Sequence, residues 1–174
     1  MKFGPGSYIT LVRAVLVAAL AGLVARPASS AGAWSVIVIA VVALLLDGVD
    51  GWVARRTSTV SAFGMRFDME TDAALVLVLA VLAWRYGKAG PWILAAGLLR
   101  YVFVAAGWVW SWMRRPLTPT LRGRLICIVQ IGALIVAILP PVERPASTIV
   151  AALGLAALCY SFLADTLRLW RHAS

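Results

Sequence analysis

Six apolar stretches, separated by short basic connections, dominate this sequence and limit the folds open to it. The stretches occupy residues 8–25, 34–53, 67–84, 91–112, 125–139 and 146–167. Most come close to the roughly 20 residues with which a helix spans the hydrocarbon core of a bilayer. A hydrophobic fraction of 63% and a mean hydropathy of +0.93 exclude an ordinary soluble domain. We therefore predict an all-α integral membrane protein, a bundle of six transmembrane helices forming one domain over residues 1–174.

The distribution of basic residues predicts the orientation of these helices. With the N terminus in the cytoplasm, ten Lys and Arg residues of the connections and tails lie on the cytoplasmic side. Four lie on the other side: Arg26, Arg85, Lys88 and Arg144. Because Lys and Arg are in excess in short cytoplasmic segments, both termini are expected in the cytoplasm, in a multi-pass protein of the plasma membrane. The net charge of +9 then reflects topology and anionic lipid head groups, and we expect no nucleic-acid partner.

The acidic residues gather in one segment between two of the apolar stretches. Of the seven Asp and Glu residues, five fall between Asp47 and Asp72. Asp47 and Asp50 are spaced i,i+3, and Asp68 and Asp72 are spaced i,i+4, so each pair shares one face of a helix. Carboxylates beside hydrocarbon normally face the interior of a bundle and serve a site. Because four of them repel one another unless cations lie between them, we predict a site for two hard divalent cations.

The spacing of these residues also matches a longer motif. From Asp47 the chain reads D-x-x-D-G-x-x-A-R and, after eight further residues, G-x-x-x-D-x-x-x-D. This order resembles the signature of the class I CDP-alcohol phosphatidyltransferase family. All eight specified positions are present, namely Asp47, Asp50, Gly51, Ala54, Arg55, Gly64, Asp68 and Asp72. Thr10 and Arg13 also match the family's opening, P-N-x-L-T-x-x-R.

The resemblance implies an enzyme of phospholipid biosynthesis embedded in the lipid bilayer. Such an enzyme moves a phosphatidyl or similar substituted phosphate group from a CDP-alcohol, usually CDP-diacylglycerol, to an alcohol acceptor and releases CMP. The resemblance implies two Mg²⁺ or Mn²⁺ ions held by Asp47, Asp50, Asp68 and Asp72. By the same pattern Asp72 is the general base, and the CDP part of the donor is contacted by Gly51, Ala54, Arg55 and Gly64. A homodimer is the assembly that the family suggests.

Arginines near the cluster bear on the identity of the acceptor. Arg100 lies near the middle of the fourth stretch, where a charge is costly and faces the bundle. It either forms a structural ion pair, with Asp165 or an aspartate of the cluster, or anchors a phosphate. Arg124 belongs to a segment that resembles G-K-x-K-T-x-x-Q of the family's glycerophosphate and cardiolipin branches, so it is a candidate for phosphate binding. Arg122 is instead expected to anchor the chain at the membrane surface. We therefore favour a phosphate-bearing acceptor, such as glycerol 3-phosphate, phosphatidylglycerol or an inositol phosphate.

Two other functions are compatible with an aspartate cluster in a membrane protein. A metal-ion transporter would use the carboxylates as its path, and it predicts ionisable residues throughout the depth of the bilayer rather than at one end. A non-catalytic membrane scaffold descended from the enzyme predicts the loss of one or more motif residues. All of them are present, so we favour the enzyme over both alternatives.

Overall fold

The computed structural model describes residues 5–57, 62–109 and 121–171, and the regular structure in these residues is all helical. Its α-helices are α1 (Pro5–Val24), α2 (Ser30–Thr57), α3 (Ala62–Arg85), α4 (Leu94–Val109), α5 (Leu121–Ile138) and α6 (Ala146–Arg171). A 3₁₀ turn over Pro91–Ile93 leads into α4. The prediction of an all-α chain with six helices is confirmed for the described residues, and each helix overlaps one apolar stretch.

Several helices extend beyond the apolar stretches that predict them. Hydropathy predicts 34–53 for the second helix, whereas α2 runs over Ser30–Thr57. α3 begins at Ala62, five residues before the predicted 67. Hydropathy marks only the part of a helix suited to hydrocarbon, whereas the backbone hydrogen bonds continue into polar turns near the membrane surface. The predicted end of the fourth stretch, 110–112, lies outside the described residues.

Two connections between helices, α3–α4 and α5–α6, meet at one end of the molecule. After α3 the chain reverses at Gly87, whose positive φ of 68° is a conformation that side chains disfavour. The next residue, Lys88, reaches across to the end of α5. Its Nζ donates hydrogen bonds of 3.0, 3.2 and 2.7 Å to the carbonyl oxygens of Leu139, Pro140 and Val142. The α3–α4 and α5–α6 connections are thereby fixed to each other.

Helix α3 is the central helix of the described structure. It packs against α1, α4 and α5, while α2 packs against α1 and α5. Leu75, Leu79 and Ala83 of α3 are fully buried and lie one above another on the same face. On α4, a Cβ at Gly97 would lie only 2.5 Å from Leu77 Cα, so a glycine permits the close approach of the two helices. Because α3 also carries two aspartates of the motif, its packing positions half of the predicted site.

The outer surface of the helices is suited to lipid. Within the described residues two helices are long and apolar enough to cross a membrane, α2 over Ser30–Val49 and α6 over Ala146–Ala164. Large apolar side chains point outwards from both, and Leu45 and Leu153 are 64% and 67% exposed. Water would be an unfavourable solvent for so much apolar surface, whereas acyl chains would cover it. The exposed surface therefore fits a membrane protein.

Candidate active site

Helices α2 and α3 bring three aspartates of the motif together, at the end of the molecule opposite Lys88. Asp47 comes from α2, and Asp68 and Asp72 lie one turn apart on α3. One carboxylate oxygen from each lies within 4.8 Å of the other two. Asp47 is buried, with 5% of its surface exposed, whereas Asp68 and Asp72 are partly exposed. The cluster is therefore closed on the side of α2 and more open on the side of α3.

A buried arginine of α1 lies in the middle of these carboxylates. Arg13 is 1% exposed. Its Nη1 lies 3.1 Å from Oδ1 of Asp47 and also donates a hydrogen bond to Asp68. Its Nη2 donates to Asp72. One guanidinium thus faces three carboxylates from two other helices, and its charge offsets part of their mutual repulsion.

The oxygen atoms of the cluster fit a hard divalent cation. Carboxylate oxygens are the protein ligands that Mg²⁺ and Mn²⁺ prefer, and three carboxylates converge here. Oδ1 of Asp47 is buried and accepts no hydrogen bond from the residues that the structure describes. Arg13 approaches this oxygen to 3.1 Å without a hydrogen bond, so a divalent cation would satisfy it more fully. The described side chains of the cluster also carry more negative than positive charge, with three carboxylates around a single buried guanidinium. This excess of negative charge favours a further cation.

Four motif residues are placed by the backbone of α2 alone. Asp50, Gly51, Ala54 and Arg55 lie in the final turns of this helix, and their side chains fall outside the described part of the chain. The metal role of Asp50 and the donor-binding roles of the other three therefore stay predictions. Gly64 lies on α3 one turn before the first aspartate of that helix, and its donor-binding role is also a prediction.

The two arginines considered for the acceptor lie in different surroundings. Arg124 reaches from α5 towards α2, and its Nη2 lies 3.4 Å from the carbonyl oxygen and 3.6 Å from Oδ2 of Asp47. Its side chain is 39% exposed, so part of it stays accessible. Arg100 of α4 instead donates through Nη2 to Oε1 of Glu70 on α3, at 2.6 Å. The ion pair of Arg100 is thus made with Glu70, while the side chain of Asp165 is outside the described residues.

The sequence indicates Arg13 only as part of the family's opening, and its place in the cluster is a finding of the structure. One further feature of the sequence could indicate Arg13, namely that it is a charged residue within an otherwise apolar helix. Such a charge is as costly in a membrane as the charges of the aspartates. Its partners are far away in sequence, with separations of 55 and 59 residues for Asp68 and Asp72. Helical periodicity relates only near neighbours, so it does not indicate this pairing.

The family of the chain follows from comparison with known proteins. The family model described as CDP-alcohol phosphatidyltransferase matches residues 6–162 of the chain. The match extends from α1 into α6 and includes the aspartates and Arg13. It confirms the resemblance that the motif indicates. No curated protein matches the chain.

Proposed function

Because the chain belongs to the CDP-alcohol phosphatidyltransferase family, we propose that it transfers a phosphatidyl group from CDP-diacylglycerol to a phosphate-bearing alcohol and releases CMP. The observation that carries this proposal is the convergence of Asp47, Asp68 and Asp72, whose carboxylate oxygens lie within 4.8 Å of one another. The fourth aspartate of the motif, Asp50, follows Asp47 by about one turn in the backbone of α2. A reaction between a diphosphate and a hydroxyl needs such a concentration of metal ligands.

Four aspartates would hold the cations of the proposed site, namely Asp47, Asp50, Asp68 and Asp72. The buried Oδ1 of Asp47, which accepts no hydrogen bond from the described residues, supports this assignment. Two Mg²⁺ or Mn²⁺ ions, when bound, would neutralise the diphosphate and the charge that develops on the departing CMP. The aspartates would be held in place through α2 and α3, because both helices pack against α1 and α5.

The proposed transfer is a displacement at the phosphorus atom that carries diacylglycerol. The hydroxyl oxygen of the acceptor forms a bond to this phosphorus, and the bond between phosphorus and the bridging oxygen of CMP breaks. The proton of the hydroxyl passes to a carboxylate oxygen of Asp72. Asp72 is partly exposed on the open side of the cluster and is oriented by Nη2 of Arg13, as a positioned base requires.

The donor would lie along the end of α2 and the beginning of α3. Gly51, Ala54 and Gly64 are small residues that let the cytidine and the phosphates approach the backbone closely. Arg55 would pair with a donor phosphate, because a guanidinium offers a planar set of donors that matches phosphate oxygens. The diacylglycerol part would enter sideways from the bilayer.

A phosphate group on the acceptor would be bound by Arg124. This arginine reaches the cluster from α5, yet its contacts with Asp47 are long, at 3.4 and 3.6 Å, and it is partly exposed. A guanidinium carries five N–H donors, so it can keep these contacts and bind a phosphate as well. Arg100 is the weaker candidate, because its ion pair in the described structure is with Glu70 and not with an aspartate of the cluster.

We also infer that all six helices cross the plasma membrane, with both termini and the aspartate cluster on the cytoplasmic side. The connections that meet at Lys88 would then lie on the opposite side. The excess of basic residues in the other connections and tails supports this orientation. Soluble alcohol acceptors would reach the cluster from the cytoplasm. A homodimer remains a prediction from the family.

The direct test is CMP release by the purified protein in detergent. It uses CDP-diacylglycerol, Mg²⁺ or Mn²⁺, and a panel of acceptors comprising glycerol 3-phosphate, an inositol phosphate, phosphatidylglycerol, serine and choline. We expect CMP with one phosphate-bearing acceptor and a loss of at least about 100-fold in the Asp68→Asn variant, which lacks a metal ligand. The control is Glu143→Gln, which neutralises an exposed carboxylate in the connection between α5 and α6, outside the cluster.

Three other outcomes of this test would contradict the site, the acceptor or the reaction. Equal CMP release by the wild type and Asp68→Asn would overturn the assignment of the site. CMP release only with serine or choline would overturn the phosphate-bearing acceptor. No CMP with any acceptor would contradict the proposed reaction, and cation uptake into vesicles that contain the protein would then favour a metal-ion transporter.

A further inference from the structure

Arg13 is the most deeply buried charged residue that the structure describes. It lies on α1, where its neighbours in sequence are apolar, and it is 1% exposed. Removing a guanidinium from water is unfavourable unless opposite charges and hydrogen-bond acceptors surround it. The surroundings of Arg13 must therefore explain why α1 carries a charge at this position.

Those surroundings are the three carboxylates of the proposed site. Nη1 of Arg13 lies 3.1 Å from Asp47 and contacts Asp68, and Nη2 contacts Asp72. Because these carboxylates belong to α2 and α3, one side chain links three helices. Arg124 also pairs with the cluster, but it is 3.6 Å from Asp47 and far more exposed, so it compensates the charge less well.

The fit between Arg13 and the aspartates is nevertheless incomplete. Nε of Arg13 and Oδ1 of Asp47 are both buried, and neither makes a hydrogen bond within the described residues. Arg13 thus pairs with Oδ1 of Asp47 by charge, at 3.1 Å, without a hydrogen bond, so a ligand could bind this oxygen better. A divalent cation has the charge and the preference for oxygen that this requires.

We infer that Arg13 is the internal counter-ion of the aspartate cluster. It holds α1, α2 and α3 together while no divalent cation is bound, and it competes with divalent cations for the same carboxylate oxygens. Arg13 is therefore a positioning residue, which acts through Asp47, Asp68 and Asp72. The competition with cations rests on the proposed function, whereas the counter-ion role in the metal-free protein does not.

Thermal unfolding of the purified protein in a chelator tests the counter-ion role. The eight tryptophans provide an intrinsic fluorescence signal. We expect Arg13→Gln to lower Tm by about 10 °C, because it leaves three buried or partly buried carboxylates without their main cation. Arg13→Lys, which keeps the charge, should retain most of the stability. Neither expectation depends on enzyme activity.

A second substitution separates charge compensation from simple packing. Adding Asp68→Asn to Arg13→Gln removes one of the repelling charges. The double variant should therefore recover at least half of the decrease in Tm that Arg13→Gln causes, although Asp68→Asn alone should lower Tm. If Arg13→Gln does not fold, folding of the double variant gives the same support. Absence of any recovery, or equal losses in Arg13→Lys and Arg13→Gln, would overturn the proposal, because packing alone would then explain Arg13.

Unfolding with Mn²⁺ in place of the chelator tests the competition. A ligand that binds only the folded protein raises its stability according to its affinity. We therefore expect Mn²⁺ to raise Tm more in Arg13→Gln than in the wild type, and an equal or smaller rise would overturn the competition. If Mn²⁺ changes the Tm of neither protein and CMP is not released, both the proposed function and the competition between Arg13 and cations fail. The Tm measurements in chelator then still decide the counter-ion role.

Discussion

Asp72 combines two roles in the proposed reaction, as a ligand of a cation and as the base that accepts the proton of the alcohol. Both roles need a carboxylate that is ionised and held in place. Arg13 supplies the second condition through its hydrogen bond from Nη2, and the partial exposure of Asp72 gives the acceptor access. Asp68, one turn earlier on α3, contacts the same guanidinium through Nη1. Substitutions of these two residues should therefore have different consequences.

Asp72→Asn keeps the size of the side chain and removes its basicity. We expect kcat for CMP release to fall by about 10²–10⁴-fold, the usual contribution of a positioned general base. Raising the Mn²⁺ concentration should partly restore Asp68→Asn, because an amide oxygen still binds a cation weakly. It should not restore Asp72→Asn, because an amide does not accept the proton. A fully active Asp72→Asn, or equal rescue of both variants by Mn²⁺, would contradict the assignment of the base.

At the scale of single residues the sequence indicates the aspartates well and the arginines less well. Asp47, Asp68 and Asp72 follow from two facts visible in one sequence, their helical spacing and their apolar surroundings. The partners of Arg13 and Arg100 are distant in sequence, and only the packing of α1 and α4 against α3 brings them together. The sequence offers several carboxylates for each arginine, and helix packing decides between them.

At the scale of helices the apolar stretches predict each element but not its ends. Polar residues such as Ser30 and Thr57 carry no hydropathy signal, yet they continue the backbone hydrogen bonds of α2. The position of α3 at the centre is also absent from the sequence, because all of these stretches are similarly apolar. It depends on close contacts such as the one between Gly97 and Leu77, which the structure alone supplies.

That contact gives a prediction for the α3–α4 pair. In Gly97→Ala the new Cβ would lie 2.5 Å from Leu77 Cα, so the helices must separate. Overpacking of this kind costs about 1–3 kcal/mol, which outweighs the gain in helix propensity and lowers Tm by several degrees. The matched control is Gly132→Ala in α5, where a Cβ would meet no described atom within 4 Å. A Tm of Gly97→Ala that equals or exceeds the Tm of the control would contradict the close approach of α3 and α4.

At the scale of the whole molecule, the two ends differ in chemistry. One end holds the aspartate cluster with Arg13, and the other holds the connections that Lys88 joins through three backbone carbonyls. Four basic residues are predicted on the non-cytoplasmic side, and one of them, Lys88, uses its ammonium group for these hydrogen bonds. The connections and tails predicted on the cytoplasmic side carry ten basic residues. This asymmetry predicts a single orientation in the membrane.

Cysteine labelling from one side of the membrane tests that orientation. Arg66, near the start of α3, and Glu143, in the connection between α5 and α6, are both exposed and lie near opposite ends. Each is changed to cysteine in a background in which Cys127 and Cys159, both free thiols, are replaced by serine. In right-side-out vesicles a membrane-impermeant maleimide should label Glu143→Cys immediately. It should label Arg66→Cys only after permeabilisation, because positive charge retains that end in the cytoplasm. The reverse pattern would place the aspartate cluster outside the cell, away from cytoplasmic alcohols, and would exclude the proposed route of the acceptor.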